Sequence, residues 1–379
     1  MNPPSNRAFS RRVPGGRVPV SVAHDRRPLR NRRDRLRRGP GRTLFTAVLL
    51  MALAARPARA ARPITTSLVE YMRSIRAFMP TQGSNAYVVP SAADRLAFRA
   101  AARALAADDV ATAERALAAY PDFEILALTD AASGASYHAL VEKAPLPRGW
   151  GFFLFARGPA RPDLVLEIPH PLADRDSELA GAKAAVALRP AVVLFAGAHR
   201  YATANGSSDV AHVAASIFES VHEVALTQGR VALQIHGFST AGHPDYPEIL
   251  ISSGTTSPGP DGQQVCRSVT AANQGVGCVL FDGSAYTDLG AQANVQGSFA
   301  RRTFGPDHFL HIETADSVRV DGPQLAVLIN ALAARWPEPE TPAGCAMARA
   351  ENAVNFWAPL AVLLALSRRR HRTDRGVVS

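Results

Sequence analysis

The sequence predicts an α/β fold, a mostly parallel mixed sheet flanked by helices. Three apolar runs carry that prediction: Leu164 to Ile168, Ala191 to Phe195 and Val231 to Ile235. The stretches between them, about 176–188 and 208–227, have helical character, and strands alternating with helices are the pattern of βαβ units. Each run also delivers a histidine: Pro169-His170-Pro171, then Gly197-Ala198-His199-Arg200, then His236-Gly237-Phe238. Ligands of open α/β sheets bind beyond the carboxyl ends of the strands. The observation that predicts the fold therefore also predicts where the site lies.

The remaining elements follow in order. Residues 1–60 read as a basic leader and secretory signal peptide: an Arg-rich region, the short apolar run Leu44 to Leu53, and Ala58-Arg59-Ala60 before a cleavage point. That run is shorter than the roughly 20 residues that a membrane-spanning helix needs. Residues 61–122 are expected to be a helical lead-in, with two short helices between Ala92 and Tyr120 broken near Asp108-Asp109. Residues 123–337 are expected to form the α/β catalytic domain. Its first strands are Phe123 to Leu128, Ser136 to Val141 and Gly151 to Phe155, with Ala132-Ser133-Gly134 as a turn. After the three central strands come a strand at Glu248 to Ile251, a helix at Asp261 to Asn273 and a strand at Gly277 to Phe281. A short strand at Phe309 to Glu313 and a helix at Gln324 to Trp336 complete it.

Residues 338–379 read as a linker and C-terminal tail. Gly344-Cys345 is followed by an apolar segment, Phe356 to Leu366, and then Arg368-Arg369-Arg370. That order of parts resembles the Cys-containing sorting tail of myxobacteria and their relatives, and the Arg run fits retention on the cytoplasmic side. The resemblance implies a transmembrane helix in the tail and a place at the cell surface, outer membrane or periplasm.

Charge excludes one class of function. The chain carries a formal +10, but residues 1–43 hold thirteen Arg against two Asp, and 368–379 hold five Arg against one Asp. The intervening body is mildly acidic, about −5. A nucleic-acid footprint needs basic residues clustered on the folded body, so no nucleic-acid partner is expected. Three Cys are too few for a disulfide scaffold. Cys266 and Cys278 are close in sequence and, in an exported body, are a candidate disulfide.

The chemistry starts at His170. Zinc takes His nitrogen and carboxylate oxygen, and catalytic sites keep three protein ligands and one open position. His170 with Asp174 or Glu178, completed by His236, supplies that set; Asp174 is favoured because Ser177-Glu178 reads as the first turn of a helix. Arg200 suits a substrate carboxylate or carbonyl. Asp209 and His212, about a turn apart at a helix start, either orient a ligand His with His199 nearby or cap the helix.

Taken together, Ile168-Pro169-His170-Pro171, Asp174, Ser177-Glu178, Gln234-Ile235-His236-Gly237 and His311-Ile312-Glu313 resemble the zinc carboxypeptidase superfamily. The branch is that of phage poly-γ-glutamate hydrolase and N-formylglutamate amidohydrolase, and the resemblance spans about 135–335. The pattern departs from the carboxypeptidases in that no carboxylate stands three residues after His170. The resemblance implies a phosphorylase/hydrolase-like fold, zinc as cofactor, and hydrolysis of amide or peptide bonds by metal-activated water with Glu313 as general base. A small peptide or N-acyl amino acid is the implied substrate. The other reading of Glu313 is a sheet-end carboxylate paired with Arg319. Two other classes remain open at this level: a metal-free cell-surface α/β binding protein, and a serine-type α/β-hydrolase. The second lacks Gly-x-Ser-x-Gly.

Overall fold

The computed structural model describes residues 61–158 and 160–337. The expected signal peptide and the C-terminal tail with Cys345 lie outside them. Among the described residues no helix is long and apolar enough to cross a membrane.

The elements run β1 (Arg62–Thr66), α1 (Leu68–Arg76), α2 (Ala92–Ala106), α3 (Val110–Ala116), β2 (Phe123–Asp130), β3 (Ser136–Glu142), β4 (Phe152–Arg157) and β5 (Arg161–Ile168). They continue with α4 (Ser177–Leu188), β6 (Pro190–Phe195), α5 (Ile217–Ala225), β7 (Val231–Gly237), β8 (Ile249–Ser252), α6 (Pro260–Ala271) and β9 (Cys278–Leu280). The last are α7 (Val295–Thr303), a 3-10 turn at Pro306–His308, β10 (Phe309–Thr314), α8 (Asp316–Arg319) and α9 (Pro323–Arg335). The strands form one sheet in the order β1-β2-β3-β4-β6-β5-β7-β10-β8-β9. Its centre, β6-β5-β7-β10, is parallel. β3 and β4 join the adjoining strands by antiparallel pairing, as does β8 on the other side. The fold is an α/β fold with a mixed, mostly parallel sheet between two layers of helices.

Alternation along β5 builds both layers. Leu164, Leu166 and Ile168 join the core beneath α1, α4, α6 and α9, while Val165 joins the core beneath α2, α3 and α5. Successive strand residues point to opposite faces, so a strand buried on both sides is apolar at nearly every position. Helix α4 fits close to the sheet because Gly181 leaves room for Ile168; a Cβ there would collide with the Ile168 side chain. Glu167, on the α5 side, is the polar exception between Leu164 and Ile168 and is wholly buried.

The chain enters the sheet centre at β5, passes to β6 on one side, and returns to β7 on the other. That reversal opens a crevice at the carboxyl ends of β5, β6 and β7, where ligands bind in folds of this kind.

Two differences from the sequence reading bear on the site. The segment 61–122 is more than a helical lead-in. Its β1 pairs in parallel with β2, and α1, capped by the Ser67 hydroxyl, packs into the core. Its Pro80, Gly83 and Asn85 make backbone hydrogen bonds to His199, Tyr201 and Ala202 at 2.7–2.9 Å, so this segment holds the loop that carries Arg200. The helix expected over 208–227 begins only at Ile217, capped by Ser216. Residues 198–216 are turns, because the Thr203, Asn205 and Ser208 side chains bond neighbouring backbone in competition with helical bonds. Cys266 on α6 and Cys278 on β9 are disulfide-bonded, with Cα atoms 5.4 Å apart.

The entry to that loop is a close approach of two backbones. Gly151, at φ +100°, lies against the Phe195 carbonyl, and Gly197 lies against Gly151. A Cβ at residue 151 meets both strained φ and backbone oxygen. Gly151→Ala is expected to cost roughly 2–5 kcal/mol, combining backbone strain and overpacking. Denaturant unfolding checks it; an unchanged midpoint would show that the backbone accommodates the methyl.

Candidate metal centre

β5 ends at Ile168, and Pro169 ends its ladder, so His170 stands just past the strand. The chain then turns, with the Asp174 N–H on the His170 carbonyl at 3.1 Å, which brings the Asp174 side chain back toward the sheet. β7 places His236 opposite it, beside Glu313 of β10, with which His236 is in register. The two imidazole rings lie edge-to-face with centroids 4.8 Å apart. Nδ1 of His170 and Nδ1 of His236 each lie 3.4 Å from the same oxygen, Oδ2 of Asp174. That oxygen also accepts the Gly237 N–H at 3.1 Å. All three residues are buried, and their ligand-capable atoms lie within 4.8 Å of one another.

The outer nitrogens are held from behind. His170 Nε2 meets Asp209 Oδ1 at 2.9 Å. Arg200 Nε donates to Asp209 Oδ2 at 3.0 Å, and His212 Nδ1 lies 3.1 Å from the same oxygen. Asp209 therefore orients His170 instead of capping a helix. His236 Nε2 meets the carboxamide oxygen of Gln234 at 3.0 Å. Backing of this kind fixes ring orientation and tautomer in metal-ligating histidines.

Glu313 shares the cleft. Its Oε1 is 3.5 Å from His311 Nε2, and its Oε2 is buried without a hydrogen-bond partner. Arg319, which a sheet-end pairing would require, instead donates to the carbonyls of Arg175 and Thr314 and to Asp316. A cavity of about 300 Å³ is lined by His170, Arg200, His236, Asn294, His311 and Glu313, among others.

Burial sets the electrostatics. It pushes the Glu313 carboxyl up, and the Asp174 charge adds to the push. It drives His236 down to about 4, helped by the neighbouring His170 charge, and drives His311 well below the ordinary imidazole range. His170 is the opposite case. Burial alone would lower it, but the Asp174 charge close by and the hydrogen bond to Asp209 outweigh that and raise it to about 9. Burial likewise opposes ionisation of Asp174, and the His170 charge beside it overcomes that, holding the carboxyl far below its usual range.

The expected residues divide clearly. His170, Asp174 and His236 come together, with Asp209, Arg200, His212 and Glu313 around them. Glu178 does not: it is buried at the first turn of α4 and paired with Arg76, on the side of the sheet where α1 packs. Burial raises its pKa to about 7 despite that Arg. His199 turns away from the cavity, its Nδ1 accepting the Tyr201 N–H at 3.0 Å. His311 was not expected as a site residue. The signal for it is the two-residue strand period, which puts His311 and Glu313 on one face.

The donor set suits a metal. His170 Nδ1 is buried with no hydrogen-bond partner and faces a carboxylate oxygen and a second imidazole nitrogen, two nitrogens and one oxygen with the Glu313 carboxyl adjacent. A zinc ion takes that set with one position open.

No family model matches the chain, and no curated protein does. Among solved structures it is similar to a bacteriophage poly-gamma-glutamate hydrolase, at 11% identity and a TM-score of 0.32, covering 46% of this chain and 83% of that one. It is similar also to an N-formylglutamate amidohydrolase from Ralstonia eutropha JMP134, at 14% identity and a TM-score of 0.31, covering 48% and 94%.

His170 makes metal-free stability depend on pH. Its folded pKa of about 9 stands above the ordinary 6.5, so its contribution is complete below pH 6.5 and is lost as pH rises through about 9. The loss should be on the order of 3 kcal/mol. Unfolding of chelator-treated protein from pH 6 to pH 10 measures it, with His170→Asn as reference. Parallel curves for the two proteins would remove His170 from the account.

Proposed function

We propose that this chain is a metal-dependent hydrolase of amide or peptide bonds, with zinc as the metal. The observation that carries the reading is the convergence of His170 Nδ1, His236 Nδ1 and Asp174 Oδ2 beside the unpartnered Oε2 of Glu313. His170, Asp174 and His236 would hold the ion. When bound, zinc lowers the pKa of its water to roughly 7 and polarises a carbonyl.

The other roles belong to the protein's own side chains. Glu313 takes a proton at Oε2 and later returns it to the leaving amine. A buried carboxyl with its pKa pushed up is suited to holding that proton between the two events. Arg200 projects into the cavity while its Nε and Nη2 brace Asp209. Its remaining N–H groups are placed for a substrate carbonyl or carboxylate. Asp209 holds His170 from behind. We assign a small peptide or N-acyl amino acid as substrate, met outside the cytoplasm, where the expected leader and tail place the chain.

Three variants test the assignment. His170→Ala and His236→Ala should each lose metal, measured by metal content of the purified chain. Glu313→Gln keeps the shape but cannot take a proton. It should retain metal and fold while turnover on amide substrates falls roughly 10²- to 10⁴-fold, the usual contribution of a general base. Full zinc occupancy in either His variant would remove that residue from the ligand set. Loss of metal in Glu313→Gln would make Glu313 a ligand.

A further inference from the structure

Behind His236 lies a polar network with no access to solvent. Glu167 of β5, Gln234 of β7, Gln296 of α7 and His222 of α5 are all at 0% exposure. Polar side chains buried this deeply are costly unless satisfied, and here each bond in the chain constrains the next.

We propose that Gln234 is a positioning residue that fixes the proton of His236 on Nε2 and leaves Nδ1 as its ligand atom. The inference rests on the metal-site reading above for the use of that atom, and on the hydrogen-bond network alone for the tautomer.

The two ends of a carboxamide are told apart by their partners, and three anchors orient Gln234. The Glu167 carboxylate accepts the Gln234 Nε2 donor at 2.8 Å. The second anchor is Gln296. Its Nε2 donates to the Val210 carbonyl at 2.9 Å and to Glu219 at 2.8 Å. A carbonyl only accepts, so the Gln296 oxygen must be the end that faces Gln234 Nε2, at 3.2 Å. The third anchor is Asn294. Its oxygen takes the Gly297 N–H at 2.8 Å, and a backbone N–H only donates. The Asn294 amino group therefore faces Gln234, whose oxygen accepts from it at 2.8 Å.

Gln234 thus presents its oxygen toward His236 Nε2, 3.0 Å away. A carboxamide oxygen cannot donate, so that nitrogen carries the hydrogen. The lone pair is left on Nδ1, the nitrogen that lies 3.4 Å from Asp174 Oδ2. His170 receives the equivalent instruction from Asp209. The second device is neutral where the first is charged, so it selects the same tautomer without placing another carboxylate beside the ion.

The test uses the full chain labelled with ¹⁵N-histidine and freed of metal. Two-bond ¹H–¹⁵N correlation reads the tautomer, with His236→Asn assigning the signal. In the parent protein His236 should carry its proton on Nε2; a proton on Nδ1 overturns the inference without any variant. Gln234→Met keeps the volume and removes the acceptor. The Nδ1–H form should then appear, and zinc affinity by chelator competition should fall roughly 10- to 100-fold, as for other outer partners of metal ligands. The exchanged pair Glu167→Gln with Gln234→Glu returns an acceptor to the same place and should restore both readouts. An unchanged tautomer and affinity in Gln234→Met would overturn the inference. If the parent protein binds no zinc yet shows the tautomer change in Gln234→Met, the metal reading fails and the positioning role stands.

Discussion

One oxygen organises the site. Oδ2 of Asp174 faces Nδ1 of both His170 and His236 while it accepts the backbone N–H of Gly237. Those contacts join the turn after β5 to the end of β7, and they do so in a buried place, where a carboxylate survives only if it is compensated. The opposed behaviour of the two histidines follows. The ring that gains both Asp174 and Asp209 is driven toward its charged form, and its neighbour, buried beside that charge, is driven toward neutrality. A divalent ion would take over the compensating role that the His170 proton fills in its absence, so proton and metal compete for one position.

Much of this was legible in the sequence, because strand ends have a local signature. An apolar run that stops at Pro169, or at Gly237 just after His236, announces both the strand and the residue carried at its end. Asp174 was favoured over Glu178 because Ser177-Glu178 reads as the first turn of a helix, and the structure has Glu178 at the first turn of α4, paired with Arg76. The helix expected at Asp209 was the clearest failure. Asn205, Ser207 and Ser208 can cap a helix or close a turn, and the same side-chain bonds serve both. Only the tertiary demand that Asp209 reach His170, 39 residues away, separates the two outcomes.

Long-range polar pairing was the least visible layer. Gln234 to Glu167 spans 67 residues, and Gln234 to Gln296 spans 62. No period or motif links such positions, since each residue alone is compatible with an exposed strand or helix. The same is true of Arg319, whose buried guanidinium ties the backbones of Arg175 and Thr314 together. It leaves no space for a side chain at Gly237. These contacts set how closely the loops approach one another, and hence the size of the cleft, whereas the alternation of apolar residues set only which way each strand faces.

The two margins of the sheet have a consequence for how the protein behaves among its own copies. An open sheet edge offers unpaired backbone groups on which a second chain can template itself, and natural proteins blunt such edges with brevity, proline or a covering element. On one margin β1 is five residues long and carries Pro63, which has no N–H to offer. On the other, β9 is three residues long and is fastened to α6 through Cys266 and Cys278. Among the described residues the ten-stranded sheet thereby has both of its margins blunted. Oxidation state enters here in an unexpected role: reducing that one bond would release the fastening of the outermost strand and weaken the guard against filament-like stacking, at a distance from the chemistry of the cleft.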